Sequence, residues 1–198
     1  MSKASDNLKP LREFVGAMTR LVERTQDEPT LITEGTRLLG GLLVDDAWLP
    51  DAYAQPHPEH YQQYLLHCDP LERFSVVSFV WGPGQKTPIH DHTVWGLIGM
   101  LRGAENSQSY TTAGSTTRLV ATNLERLERC SVAAVSPAIG DIHAVSNALD
   151  SAPSISIHVY GANIGAVRRH VFDPESGEAK EFVSGYASNH VPNLWDRS

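Results

Sequence analysis

The chain has 198 residues, 41% of them hydrophobic and 20% charged, with a formal net charge of −7. That is the size and makeup of one domain, and no apolar run approaches the length that crosses a bilayer. An acidic chain without a basic run repels phosphate backbones, so neither nucleic acid nor a membrane is an expected partner.

The opening MSKASDNLKP has neither the apolar core nor the small-residue cleavage site of a secretory signal, which makes the cytoplasm the expected address. In that compartment Cys68 and Cys130 are expected as free thiols. Leu8, Leu11, Phe14, Val15, Met18, Leu21 and Val22 step at threes and fours, the stripe of an amphipathic helix, with Asp6 as its expected cap. A second helix is expected from about Pro29, carrying Leu31, Leu38, Leu39 and Leu42 and weakened at its end by Gly40-Gly41. A short polar helix is expected from Pro58 to Leu66, so residues 1–66 read as mostly helical.

From Arg73 the pattern changes to short β-branched and aromatic runs. FSVVSFVW (74–81), VWGLIGML (94–101), TRLVA (117–121), SVAAV (131–135), SISIHVY (154–160) and RHVFD (169–173) alternate with breaks such as WGPG, NALDSAP and GANIG. Many short strands without intervening helices predict an antiparallel barrel or sandwich over about 73–185, within one domain of 1–198.

Among nine histidines, His90-Asp91-His92 stands out. Residues two apart on a strand face the same way, so both imidazoles can reach one metal ion while Asp91 points away. A lone H-x-H is weak, but here it lies within Gly84-x₅-His90-x-His92-x₃-Gly96-x₆-Gly103, followed by Pro137-x₂-Gly140-x₂-His143-x₃-Asn147. These strings resemble the two motifs of the cupin superfamily. The resemblance implies a mainly β jelly-roll barrel, here with an N-terminal helical segment, and a metal held by His90, His92 and His143. Gly96 stands where the usual cupin has a glutamate ligand, and the second motif has one residue more than usual between its proline and glycine. The site would then be three neutral imidazoles, leaving room for an anionic ligand such as a thiolate. Histidines alone do not choose the metal, since three of them also hold zinc.

Ser156, His158 and Tyr160 share one face of SISIHVY, opposite Ile155, Ile157 and Val159. Parity alone leaves open whether that polar face lines the lumen or meets solvent. In the lumen it would form a hydrogen-bonded relay ending on the Tyr160 hydroxyl. From about Tyr61 to about Phe172 the chain resembles the thiol dioxygenases, of which cysteine dioxygenase is the best-known member. The resemblance is strongest in WGPGQKTPIHDHTVWGLIGMLRG and SISIHVYGANIGAVRRHVF. It implies Fe(II), one per chain, on His90, His92 and His143, O₂ as co-substrate, and an outer Ser156–His158–Tyr160 relay.

The mammalian type has a cysteine after the H-x-H that is crosslinked to the active-site tyrosine. Here Gly96 or Leu97 takes its place, so that link cannot form. The mammalian arginine that binds the substrate carboxylate corresponds to Gln63. Both differences resemble the bacterial branch that includes 3-mercaptopropionate dioxygenase, in which a later arginine is thought to meet the carboxylate. Arg169 matches that position, and Arg168 is its neighbour facing the opposite way. The expected substrate is therefore a small thiol carboxylate, 3-mercaptopropionate or L-cysteine, oxidised to the sulfinic acid. Trp81, Trp95 and Leu97 are candidates for a dry wall around the site or for plain core. The alternatives are a zinc or manganese cupin acting as isomerase or hydrolase, and a non-enzymatic cupin that binds a small ligand. A monomer and a small homo-oligomer both fit the sequence.

Overall fold

The computed structural model describes residues 7–113 and 117–195. Asp6, the expected cap of the first helix, lies outside them. Helix α1 (Lys9–Arg24) starts after Leu8 with no side-chain cap among the described residues and carries Pro10 in its first turn. Helix α2 (Glu28–Leu42) is capped by Asp27, whose Oδ2 accepts the Thr30 amide at 3.0 Å, and it runs through Gly40-Gly41 to Leu42. After it only a single 3-10 turn, Asp51–Tyr53, precedes the first strand among the described residues, so the helices end short of residue 66.

The polar helix expected over 58–66 does not form. Tyr61, Tyr64 and Leu65 would share one face of a helix there, but the open edge of the neighbouring sheet takes the segment. As a strand, β1 (Gln62–Cys68), it gives its backbone hydrogen bonds to β2 (Ser75–Trp81) instead. The remaining strands are β3 (Ile89–His90), β4 (Gly96–Arg102), β5 (Glu105–Thr112), β6 (Leu119–Leu127), β7 (Val132–Val135), β8 (His143–Asn147), β9 (Ser154–Tyr160), β10 (Arg169–Phe172) and β11 (Ala179–Phe182). They form two sheets, in the orders β1-β2-β9-β4-β7 and β11-β10-β3-β8-β5-β6, with antiparallel pairing throughout. The molecule is a mainly β cupin jelly roll with a helical N-terminal segment.

Each of the six apolar runs predicts a strand that forms. The polar strand β5, ENSQSYTT, and the short β3, β8 and β11 carry no such pattern.

Alternation along the five-stranded sheet separates two cores. Val76, Val80, Leu97, Leu101, Ile155 and Ile157 face outward into one cluster with the apolar stripes of α1 and α2. Val77, Phe79, Trp81, Ile98 and Met100 face inward, between the sheets. The helices sit close enough that a Cβ on Gly99 would come within 2.8 Å of the Leu43 side chain. Strand β9 is therefore buried along its whole length. Ile157 has none of its surface exposed, and its truncation to alanine should cost about 2–5 kcal/mol. No helix among the described residues is long and apolar enough to cross a membrane. Cys68 and Cys130 are both free.

The turn between β1 and β2 is pinned by Asp69. Its carboxylate meets Arg73 Nε and Nη2, each at 2.8 Å, and accepts the amides of Leu71 and Arg73. The Arg73 hydrogen bonds outweigh burial and hold the Asp69 carboxyl down to about 2, against an ordinary 3.8. A carboxyl depressed in the folded state stabilises it above the ordinary value, and that contribution is lost as the pH falls through 3.8 toward 2. The term is on the order of 2 kcal/mol. Asp69→Asn should therefore lower the melting temperature at neutral pH and flatten the acid limb of a stability-versus-pH curve measured by thermal unfolding. An unchanged acid limb would exclude this pair as its source.

Candidate metal centre

His90 ends β3, and His143 opens β8 directly opposite it. The strand stops before His92, so alternation along the chain does not by itself bring the second imidazole of the H-x-H into place. Asp141 does. It accepts the His92 amide at 3.0 Å, the Thr93 amide at 2.8 Å and the His92 ring Nδ1 at 2.8 Å. The bend it enforces includes Thr93 at φ +60. The three ring centroids then stand 4.8–4.9 Å apart, with one ligand atom of each histidine within 4.8 Å of the others.

Each ring is held from behind. The Nδ1 of His90 donates to the Pro88 carbonyl at 3.1 Å, that of His92 to Asp141, and that of His143 meets Ser107 Oγ at 3.2 Å. With Nδ1 occupied, the Nε2 lone pair is the atom left for a metal. Burial also keeps two of the rings neutral. It drives His90 down to about 3, helped by the neighbouring His92, and lowers His143 far below an ordinary imidazole. Burial would raise Asp141, but its bonds to the ring and amides hold it low and ionised. Three oriented, buried imidazoles fit a divalent ion. No carboxylate joins this group among the described residues. Asp91 is turned away and bonds the amide and ring of His170. A separate group, His57, Glu59 and His60, lies on the surface loop before β1, where His57 Nδ1 already accepts the Glu59 amide.

The polar face of β9 turns inward. Ser156 Oγ stands 2.9 Å from His158 Nε2, and His158 Nδ1 stands 2.8 Å from Tyr160 Oη. The Tyr160 ring stacks on His92 at 5.3 Å between centroids. Burial raises the Tyr160 phenol well above its ordinary value, so it keeps its proton. A Cβ on Gly96 would lie 2.9 Å from the Tyr160 ring, whereas Leu97 faces the helices. Gly96, not Leu97, is thus the position that meets the tyrosine, and no glutamate fits there.

A cavity of about 230 Å³ opens onto these groups, lined by His90, His143, His158 and Tyr160 and by apolar side chains including Phe79, Trp81 and Val171. Of the three wall candidates only Trp81 lines it; Trp95 and Leu97 belong to the helix-side core. Gln63 and Arg169 both line it. Arg169 is 4% exposed, donates from Nη2 to Ser184 Oγ at 2.7 Å, and lies 4.7 Å from the Phe182 ring centroid. Its buried Nε has no hydrogen-bond partner among the described residues. Arg168 points the other way, with its side chain 80% exposed and 3.5 Å from Glu181.

A family model for cysteine dioxygenase type I matches residues 45–173. The chain belongs to that family. Its fold also resembles solved structures at low identity. One is an uncharacterized Klebsiella pneumoniae protein with a double-stranded β-helix domain, 19% identical, with TM-score 0.45 over 58% of this chain and 89% of that one. Another is an RmlC-like cupin from Desulfovibrio desulfuricans, 20% identical, with TM-score 0.42 over 55% and 88%. The family match contains all three histidines, the β9 relay and Arg169, but neither Phe182 nor Ser184. Those two, with Asp141 and Ser107, are site residues that no sequence pattern singles out; Asp141 is foreshadowed only by its place beside the motif glycine Gly140.

Removing Asp141 should loosen His92 in both backbone and ring. Titration of the metal-free Asp141→Ala variant with ferrous or cobaltous ion should give an affinity about 10- to 100-fold weaker than that of the parent chain. Equal affinities would mean that Asp141 does not orient the site.

Proposed function

We propose that the chain is a non-haem iron thiol dioxygenase that takes a small thiol carboxylic acid, 3-mercaptopropionate or L-cysteine, and one O₂ to the sulfinic acid. The observation carrying this reading is one cavity lined by His90 and His143, two members of a three-imidazole group that holds no carboxylate among the described residues, and by a buried arginine whose Nε is unpaired among them. A molecule with sulfur at one end and a carboxylate at the other answers both. Ferrous iron on His90, His92 and His143 would lower the thiol pKa, bind O₂ and supply the electron exchange that activates it.

The remaining tasks belong to the chain. Arg169 forms charge-assisted hydrogen bonds with the carboxylate, held for that task by Ser184 and the Phe182 face. That fixes the distance from acid group to sulfur and so selects chain length. Gln63 offers an uncharged amide on the same wall, which favours an acid without further charge. Phe79, Trp81, Val145 and Val171 keep water away. Tyr160, protonated by burial, supplies a directed hydrogen bond toward the reacting atoms, backed by His158 and Ser156. The absence of a carboxylate ligand among the described residues favours this reading over hydrolase or isomerase chemistry, since Asp91 is bonded to His170 and Asp141 to the far side of His92.

Oxygen uptake by the iron-loaded protein should be supported by 3-mercaptopropionate or cysteine and not by cysteamine; uptake with none of the three would overturn the reading. His143→Ala should lose both iron and uptake. Arg169→Ala should raise KM for thiol acids by about 10- to 100-fold while changing that for 2-mercaptoethanol far less, whereas Arg168→Ala should leave both as they are. Equal losses for acid and alcohol thiols would remove Arg169 from carboxylate binding.

A further inference from the structure

Glu105 is a buried carboxyl that the chemistry above does not use. It stands at the start of β5, in the six-stranded sheet, with none of its surface exposed. Its side chain reaches across to β9 in the other sheet, where Ser154 Oγ donates to Oε1 at 3.2 Å. Among the described residues Oε2 makes no hydrogen bond of ordinary geometry, although the Ser156 hydroxyl acts on the carboxyl together with that of Ser154. The cross-strand neighbours of Glu105 are Leu127 and Asn147, and Asn147 is committed to the Trp81 and Ala152 carbonyls and the Leu149 amide. The groups that face it from β9 are Ser154 and Ser156, and His158 is the titratable group reached through Ser156. No charged side chain offsets its burial among the described residues. Burial accordingly raises the acid to about 8, against the pull of the two serines.

The hydroxyl that Glu105 approaches is the first member of the relay. Ser156 Oγ has one proton to give and two lone pairs. The Trp81 indole, a donor only, takes one lone pair at 3.3 Å. Two arrangements then satisfy every group. If Glu105 is neutral, its Oε2–H donates to Ser156 Oγ, Ser156 donates to His158 Nε2, and His158 Nδ1–H donates to Tyr160 Oη. The phenol O–H of Tyr160 is then free to point into the cavity. If Glu105 is ionised, Ser156 donates to the carboxylate, His158 carries its proton on Nε2 and donates to Ser156, and Nδ1 accepts the Tyr160 O–H. The phenol proton is then turned away from the cavity. Only the Glu105 proton leaves to solvent; Ser156, His158 and Tyr160 each keep one, and the imidazole changes tautomer.

We propose that Glu105 is a positioning residue that sets the direction of the Ser156–His158–Tyr160 hydrogen-bond chain, with its neutral form aiming the Tyr160 proton at the substrate. The catalytic part of this inference rests on the dioxygenase reading; the direction of the chain does not.

Two measurements separate them. The first is infrared difference spectroscopy of the metal-free protein with ring-labelled tyrosine, raising the pH through about 8. The wild type should lose the C=O band of a protonated carboxylic acid and, in step, shift the C–O stretch of Tyr160, identified by its disappearance in Tyr160→Phe. Glu105→Gln, whose amide donates to Ser156 and accepts from Ser154 at every pH, should show neither change. No acid band in the wild type at neutral pH overturns the proposal without recourse to any variant. A Tyr160 shift that persists in Glu105→Gln overturns it as well. The second is the pH profile of the iron-loaded enzyme with a thiol acid. The wild type should lose kcat on the alkaline side with little change in KM, and Glu105→Gln should lack that limb; an identical limb in both counts against the proposal. If no thiol is oxidised, the dioxygenase reading fails alone, and the infrared result still decides the direction of the chain.

Discussion

Strand β9 is contested from both sides, and the outcome places the chemistry. Ile155, Ile157 and Val159 are claimed by the helices, which bury them in the outer core. Because side chains alternate, that contact forces Ser156, His158 and Tyr160 into the space between the sheets. Three polar groups in a dry interior are stable only if they satisfy one another, and at 2.9 and 2.8 Å they do. The N-terminal helices thus help to specify the interior of the barrel without touching it.

The same alternation explains what the sequence discloses. SISIHVY announces a strand and pairs its polar residues, but which side faces inward depends on helices packed against it from the far end of the chain. The H-x-H spacing and the later His143 announce a metal site. The position of His92, however, depends on Asp141, a carboxylate distant in sequence that bends the chain after β3. Strand β5 is hidden because its residues are polar, being paired on both edges in the six-stranded sheet rather than packed on an apolar face. β1 is hidden for a different reason: its form is set by the open edge of β2, which local propensity does not encode.

Arg169 shows a division within the chain. Its position on β10 falls inside the segment shared with the cysteine dioxygenase type I family, yet both groups that hold its guanidinium, Phe182 and Ser184, come after that segment ends. The histidines and the relay are framed by the barrel, while the arginine is framed by the C-terminal hairpin and the stretch just beyond it. Two parts of one cavity can therefore change independently, because the elements that aim them are different.

Gly96 has a consequence for how the protein reaches its working form. The tyrosine ring lies so near the glycine that no side chain can intervene, and a residue without a side chain offers no atom for a covalent tie. Tyr160 is held in place by packing, ring stacking and hydrogen bonding, without a covalent tie to this position. No oxidative maturation at this pair is needed to complete the fold, and every molecule in a preparation shares one covalent structure there. Its first turnover and its thousandth begin from the same polypeptide.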